Sequence, residues 1–356
     1  MIKKVSSDFL LKTKDKKLLR FLYNENFGVF YETIINNKVI NKSIICKNCL
    51  KYFYVIEDDN RNINILYQDL IGNIILCILK ENSTTYRTIF YNKHNFISPA
   101  NIKGFSLRNK FMFLYNFDSN ANKMYFCNNR NKTSGIIYYD KNDIDISYKI
   151  LLGKEYSALV IYSISFNIFK LILKTYNAKS ESWVNNKNVF ISNHPYTDIS
   201  FCIIKNKVHS LIITDEVNSK SLIYINNDLD KVEYIQRELI IHEDYDIESC
   251  LVIELDKVLW LLWISKGKMY GCYSLDSGES FSKAKDYLDN IEDNIKKIEL
   301  VEGGQNKEIY IKDNNGNIDL FLEELLKYNN SFDINYKEIS YNFKDKKEIS
   351  SQLIKR

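Results

Sequence analysis

Short runs of apolar and aromatic residues alternate with polar turns along the whole chain, and helical spacing is scarce. One such run recurs at near-even intervals. Its members are Leu19-Arg20-Phe21-Leu22-Tyr23, Ile63-Asn64-Ile65-Leu66-Tyr67, Met112-Phe113-Leu114-Tyr115, Leu159-Val160-Ile161-Tyr162, Leu211-Ile212-Ile213, Leu259-Trp260-Leu261-Leu262-Trp263 and Ile309-Tyr310-Ile311. Counted between their last residues, the spacings are 44, 48, 47, 51, 50 and 48, with a mean of 48. A polar turn follows each run, such as Asn24-Glu25-Asn26 or Ser265-Lys266-Gly267; Ser165-Phe166-Asn167 in the fourth unit is the weakest. A second apolar run comes next (Ile74 to Leu79, Lys268 to Tyr273), then a shorter one, and a further run precedes each marker (Leu50 to Ile56, Ser249 to Ile253). Runs rich in Ile, Val, Tyr and Phe, split by Asn, Asp and Gly, are hairpin signals.

About four strands every 40 to 50 residues is the period of a propeller blade. One blade cannot bury both its faces alone; a ring of blades does so and hides most strand edges. The predicted fold is all-β, a β-propeller of seven four-stranded antiparallel blades of about 48 residues. It occupies residues 1–343 as a single domain and is followed by a basic tail, residues 344–356. A β-sandwich, or two in tandem, would also give regular strands and turns, but the even period favours the propeller. Two segments, Asp286 to Lys296 and Leu320 to Leu326, are compatible with short helices, as are Ile349, Leu353 and Ile354 of the tail. The stretch Ala158 to Leu173 is broken by Asn167 and Lys170 and reads as two short strands, not a membrane span.

Composition narrows the class. The 356 residues are 45% hydrophobic and 26% charged, which describes a globular chain and not a disordered one. A net charge of +4 is too small to imply nucleic-acid binding. Only 2 Pro and 11 Gly are present, which excludes collagen-like and Pro-rich chains. Asn is abundant, with 42 copies, as the codons of an AT-rich bacterial genome would favour. Asn tolerates the left-handed conformation and closes Asx turns, so it replaces much of the missing Gly. No apolar run of signal-peptide length lies between Met1 and Lys17, and the seven Cys are odd in number and mostly set in apolar runs. Both features predict cytoplasmic synthesis with buried thiols and no disulfide framework.

The sixth unit contains Ser274-Leu275-Asp276-Ser277-Gly278-Glu279-Ser280-Phe281. Asp276 is placed to accept backbone N–H groups across a tight turn, and Gly278 to supply positive φ. Ser274 and Ser280 are placed to bond locally, and Phe281 to fold beneath the turn. This stretch resembles the Asp-box, or BNR repeat, of sialidase-like β-propellers, Ser-x-Asp-x-Gly-x-Ser/Thr-Trp/Phe. Thr175 to Trp183 in the fourth unit is a degenerate echo, one residue too long when aligned from Thr175. The resemblance implies a propeller fold and a structural role for Ser274, Asp276, Gly278, Ser280 and Phe281, since Asp-boxes lie away from the catalytic centre. Sialidase-like catalysis would need three convergent Arg, a Tyr nucleophile assisted by Glu, an Asp acid/base and an early Arg-Ile-Pro. The seven Arg (20, 61, 87, 108, 130, 237, 356) include none followed by Ile-Pro. No catalytic residue is assigned, and the resemblance is to a non-catalytic member.

Other constellations are weaker. Cys46-Lys47-Asn48-Cys49 is a single C-x-x-C without the further ligands that zinc requires. His242-Glu243-Asp244-Tyr245-Asp246 and the group Asp140, Asp143, Asp145 are acidic junctions that do not match a calcium loop. No cofactor and no metal are predicted. Residues 1–20 carry a net +5 and residues 337–356 a net +3, leaving the chain between them at −4. Ring closure would set a basic patch on a mildly acidic disc.

Three functional readings follow. The first is a non-enzymatic binding or scaffold module with a protein partner, within a larger assembly. The second is carbohydrate binding or sialidase-like glycoside hydrolysis, with a glycan as ligand. The third is a structural component of a phage-tail-like or spore-surface particle. None involves nucleic acid or a membrane span.

Overall fold

The computed structural model describes residues 8–320, apart from 14–16, 59, 81–82, 94–98, 108–109, 118–119, 129–132, 144, 154–155, 178, 185–186, 218, 230–236, 289–294, 303–304 and 315–316. The tail at 344–356 and residues 321–326 therefore lie outside the described residues. The described elements are all strands, in seven consecutive antiparallel meanders.

The first meander is β1 (Phe9–Lys12), β2 (Leu18–Asn24), β3 (Gly28–Ile35) and β4 (Lys38–Cys46). The second is β5 (Cys49–Glu57), β6 (Ile63–Asp69), β7 (Ile74–Lys80) and β8 (Ser83–Phe90). The third is β9 (Pro99–Leu107), β10 (Lys110–Phe117), β11 (Asn120–Asn128) and β12 (Thr133–Tyr139). The fourth is β13 (Asp145–Leu151), β14 (Tyr156–Ser165) and β15 (Ile168–Asn177), with β16 (Ser182–Trp183) and β17 (Lys187–Ser192) both paired to β15. The fifth is β18 (Tyr196–Ile204), β19 (Lys207–Glu216), β20 (Ser219–Asp228) and β21 (Arg237–Asp244). The sixth is β22 (Ile247–Leu255), β23 (Val258–Ser265), β24 (Lys268–Ser274) and β25 (Lys285–Leu288). The last is β26 (Ile295–Glu302), β27 (Gln305–Asn314) and β28 (Asn317–Leu320).

The architecture is an all-β propeller of antiparallel sheets. The chain ends of the ring are joined by hydrogen bonds: β1 pairs in parallel with β26 through Phe9, Leu10 and Leu11. Asn317 of β28 meets Lys38 of β4 at the outer edge. Each recurrent sequence run falls on the second strand of its meander, where neighbouring sheets cover both faces. That is why β23 is buried along its whole length and reads as a continuous apolar run. The outer strands β4 and β8 are mostly exposed.

Hairpin chemistry follows the Asn bias. Among the described residues, five two-residue loops have positive φ at both positions: Asn36-Asn37, Phe166-Asn167, Lys205-Asn206, Asp256-Lys257 and Lys266-Gly267. Such loops match the twist of the flanking strands. Asp58 and Asp69 close longer loops by accepting backbone N–H groups two and four residues ahead. The stretch Ala158 to Leu173 forms β14 and β15, two strands as expected.

The helix expected from Asp286 is corrected by the structure. Residues 285–288 form β25, paired with Gly271, Tyr270 and Met269 of β24. Tyr287 packs edge-on against Trp260 at 5.5 Å. An open ladder edge and an aromatic surface together outweigh local helical spacing. Leu320, also at the start of an expected helix, ends β28.

Candidate functional site

The turn after β24 is tied by side chains to itself. Asp276 Oδ1 accepts the N–H groups of Glu279 (3.0 Å) and Ser280 (2.8 Å) and the Ser274 hydroxyl (2.7 Å). The Ser280 hydroxyl donates to Asp276 Oδ2, and Gly278 N–H to Ser274 Oγ at 2.7 Å. Partial burial works against ionisation of Asp276, but these donors outweigh it and hold its pKa below the ordinary value. Ser282 N–H closes the turn on Tyr273 O at 2.8 Å.

This turn is also a joint between sheets. Phe281 is buried and meets Tyr224 of β20 edge-on, with centroids 4.9 Å apart. Tyr224 OH lies 2.7 Å from His209 Nδ1 on β19. Gly278 has φ +88°, and a Cβ there would stand 2.0 Å from the Tyr224 hydroxyl. Glycine is thus required by backbone conformation and by close approach together. Burial pushes the His209 pKa down to about 3, so the ring is neutral at pH 7.

The echo in the fourth sheet closes with equal length. Val184 N–H bonds Thr175 O at 2.7 Å, nine residues apart, as Ser282 and Tyr273 are. Counted from that bond, Trp183 takes the place of Phe281 and Tyr176 that of Ser274, and the extra residue of the sequence alignment disappears. Trp183 packs against Phe126 of the preceding sheet at 5.8 Å, repeating the contact of Phe281 with Tyr224. Asn177, one position short of the carboxylate's place, accepts from the N–H groups of Lys179 and Ser180.

At the axis, charged side chains from first strands and from β27 meet across the ring. Lys149 Nζ of β13 lies 2.6 Å from Glu308 Oε1 of β27. Ser200 of β18 donates to the other oxygen of Glu308 at 2.6 Å. Lys297 of β26 donates to Asp198 of β18 and to the carbonyls of Ile199 and Cys250. Burial opposes the charge on Glu308, yet Lys149 and Lys297 prevail and hold its pKa at about 2. Burial likewise opposes the Lys297 ammonium, and Asp198 and Glu308 raise its pKa in spite of it. Lys103 of β9, 3.9 Å from Glu299, is less compensated, and burial lowers its pKa. Lys149 was visible in the sequence as a charged residue between Tyr148 and Ile150, but its partner Glu308 was not.

Arginines take other positions. Arg20 of β2 is buried and forks onto Asp8 (2.6 Å) and Asp313 (2.9 Å), which fastens the first meander to the last. Arg61 pairs with Glu57 beside the β5–β6 turn, and Arg87 is exposed on β8. These three, the Arg whose side chains are described, do not converge.

The acidic junctions are occupied by lysine. Asp244 pairs with Lys266 at 2.8 Å, and Asp140 and Asp143 both face Lys170. Asp143 also accepts from Tyr138 OH at 2.7 Å. Cys46 and Cys49 flank the β4–β5 connection, where Cys49 Sγ donates to Cys46 O, and burial pushes the Cys49 thiol up to about 12. Among the described residues, no group of three or more His, Cys, Asp or Glu is arranged to hold a metal ion. No helix among them is long and apolar enough to cross a membrane.

Exposed apolar side chains are unevenly placed. Antiparallel order puts the loops between second and third strands at the same end of the ring as the connections between meanders. Among the described residues, six large apolar side chains are at least 60% exposed: Leu70, Ile71, Tyr91, Phe166, Val217 and Tyr245. All six stand at that end. Leu70 and Ile71 are in the β6–β7 loop, Phe166 in β14–β15 and Val217 in β19–β20; Tyr91 and Tyr245 are in connections between meanders.

No protein-family model matches the chain, and no curated protein is similar to it. Solved structures do resemble it. A polysaccharide lyase of family PL25, an ulvan lyase, superposes with a TM-score of 0.50 at 9% identity, covering 81% of this chain and 79% of its own. The tricorn protease gives a TM-score of 0.55 at 7% identity over 90% of this chain, which spans about a third (33%) of that protein's length. The Aleuria aurantia lectin, with 12% identity and 74% of this chain covered (88% of its own), superposes more loosely, at 0.39. At such identities the likeness concerns backbone architecture alone, and it is the lyase and the protease whose β-propeller architecture the chain shares.

Proposed function

We propose that this chain is a non-enzymatic binding and scaffold module, a seven-bladed propeller that carries a protein partner within a larger assembly. The observation that carries this reading is an asymmetry of the ring. Its axis is filled by charges that neutralise one another, Lys149 with Glu308 and Lys297 with Asp198, while one end presents exposed apolar side chains. Contiguous or clustered apolar exposure is costly in water and marks interaction surfaces. Paired, buried carboxylates and ammonium groups rigidify a ring and are poorly placed for proton transfer to a substrate.

On this reading residues 1–343 are one domain and 344–356 a basic tail. The chain is made in the cytoplasm and enters a particle. Ser274, Asp276, Gly278, Ser280 and Phe281 act as a structural turn of the Asp-box kind, a reading supported by the hydrogen bonds of Asp276 and by the seam between Phe281 and Tyr224.

A second reading is glycan binding. Tyr91, Phe166 and Tyr245 are exposed aromatics beside Asn92, Asn167 and the pair Asp244, Asp246. An aromatic face next to carboxylate or amide acceptors suits a sugar, apolar on its C–H side and polar on its rim. A glycan array read together with a panel of fluorogenic sialosides and other glycosides separates the readings. Turnover above the blank would sink the non-enzymatic proposal. Array binding lost in Tyr245→Ser or Phe166→Ser would favour the glycan over a protein partner.

A further inference from the structure

We infer that Lys103, at the axis of the ring, is a reactive amine that captures a small aldehyde as an imine. The inference goes beyond the binding-module reading and does not rest on it.

The first ground is hydrogen bonding. Lys149 stands 2.6 Å from Glu308, and Lys297 donates to Asp198 and to the carbonyls of Ile199 and Cys250. Lys103 Nζ makes no hydrogen bond among the described residues, and its nearest carboxylate oxygen, Glu299 Oε1 on β26, is 3.9 Å away. On the other oxygen of Glu299, Asn306 Nδ2 donates at 3.0 Å, and Asn306 Oδ1 is buried without a partner. An unused donor and an unused acceptor thus flank one carboxylate, and buried groups of that kind call for a further molecule. Water would supply the missing bonds but leave the ammonium charge in place; a neutral imine removes it.

The second ground is charge. Burial, and then the like charge of Lys149 on β13, disfavour the Lys103 ammonium. Glu299 and Glu308 favour it but do not restore its ordinary pKa. Tyr54 of β5, whose own pKa burial raises, offers a neutral ring face 5.7 Å from Nζ. A desolvated lysine beside a second cation is the arrangement that frees an amine lone pair for attack on a carbonyl. The third ground is access. The Lys103 side chain is 23% exposed, against 11% for Lys149 and 10% for Lys297, so a small molecule meets Lys103 first.

The chemistry is a condensation. The amine lone pair attacks the carbonyl carbon, and one nitrogen proton passes to the carbonyl oxygen to give a carbinolamine. The second nitrogen proton leaves with the hydroxyl as water, and the C=N bond forms. Glu299 is the nearest carboxylate to relay these protons. No oxidant or reductant is consumed, and hydrolysis reverses the capture.

The test treats the full chain at pH 7 with limiting acetaldehyde and cyanoborohydride, which reduces each imine to a stable secondary amine, and maps the modified lysines by peptide mass. Lys103 is expected to react about tenfold or more faster than the exposed Lys38 and Lys257. Its lead should vanish in denaturant and narrow as pH rises toward 10, where exposed amines also lose their proton. Lys103→Arg, which keeps the charge, should lose the fast phase alone. Should that variant fail to fold, the wild-type map still decides. Equal rates at Lys103 and the exposed lysines overturn the inference, as does faster reaction at Lys149 or Lys297. A lead that persists in denaturant, or that pH leaves unchanged, overturns it too, as does a fast phase retained in Lys103→Arg. Failure here leaves the binding-module reading standing.

Discussion

Phe281 of one sheet sets its ring edge against Tyr224 of the sheet before it, and Gly278 leaves the gap that the Tyr224 hydroxyl fills. The turn therefore works as a wedge between sheets. A Gly278→Ala variant must place a Cβ 2.0 Å from that hydroxyl on a backbone of positive φ. Left-handed strain of about 1–2 kcal/mol and overpacking of about 1–3 kcal/mol give an expected destabilisation of about 3 kcal/mol. The neighbouring, exposed Leu275→Ala should stay within about 0.5 kcal/mol. Urea titration of both variants checks the contrast, and equal losses would contradict the wedge.

His209 carries a pH dependence. Its folded pKa, held at about 3 by burial, lies below the ordinary 6.5, so its contribution is complete above 6.5 and lost as pH falls from there. Between pH 7 and 5 the wild type should lose about 2 kcal/mol that His209→Gln does not. Chemical denaturation at the two pH values reads the difference; parallel losses would show that the ring is not held neutral.

A different window belongs to Glu308. Its pKa is lowered from 4.5 to about 2 despite burial, by Lys149 and Lys297. Its stabilisation is present above about 4.5 and disappears as pH falls toward 2. The Glu308→Gln variant should be less stable at pH 7 by several kcal/mol, on the order of 3, because it strands buried ammonium groups. It should also show a flatter stability profile below pH 4.5. A profile matching the wild type would contradict the ion pair.

Thiol chemistry is a fourth check. Burial pushes Cys49 and Cys77 up to about 12 and also raises Cys250 and Cys272. In native buffer at pH 8 these four should resist a disulfide-exchange reagent for as long as the fold persists and react at once in denaturant. Prompt native labelling of Cys49, mapped by peptide mass, would argue for a reactive C-x-x-C.

The sequence was most readable where one strand repeats one environment. Leu259 to Trp263 lies between two sheets, so its residues are apolar on both faces, and the same condition recurs in every meander. Turns were readable because Asn37, Asn167 and Asn206 sit where φ is positive. Asp286 misled because what decides it is an external partner, the free edge of β24. The echo at Thr175 looked too long because residue types were aligned, whereas the backbone bond from Val184 to Thr175 sets the register. Axial partners were hidden by distance along the chain: nothing local to Lys149 points to Glu308.

That pair is the most direct test of the account, since it joins the fourth meander to the last across the axis. A double-mutant cycle of Lys149→Met and Glu308→Leu in urea measures it. A closed ring with a neutralised axis predicts a coupling of about 1–3 kcal/mol between the two positions. Losses that add to within about 0.5 kcal/mol would mean that the side chains do not meet, and the filled axis would be wrong.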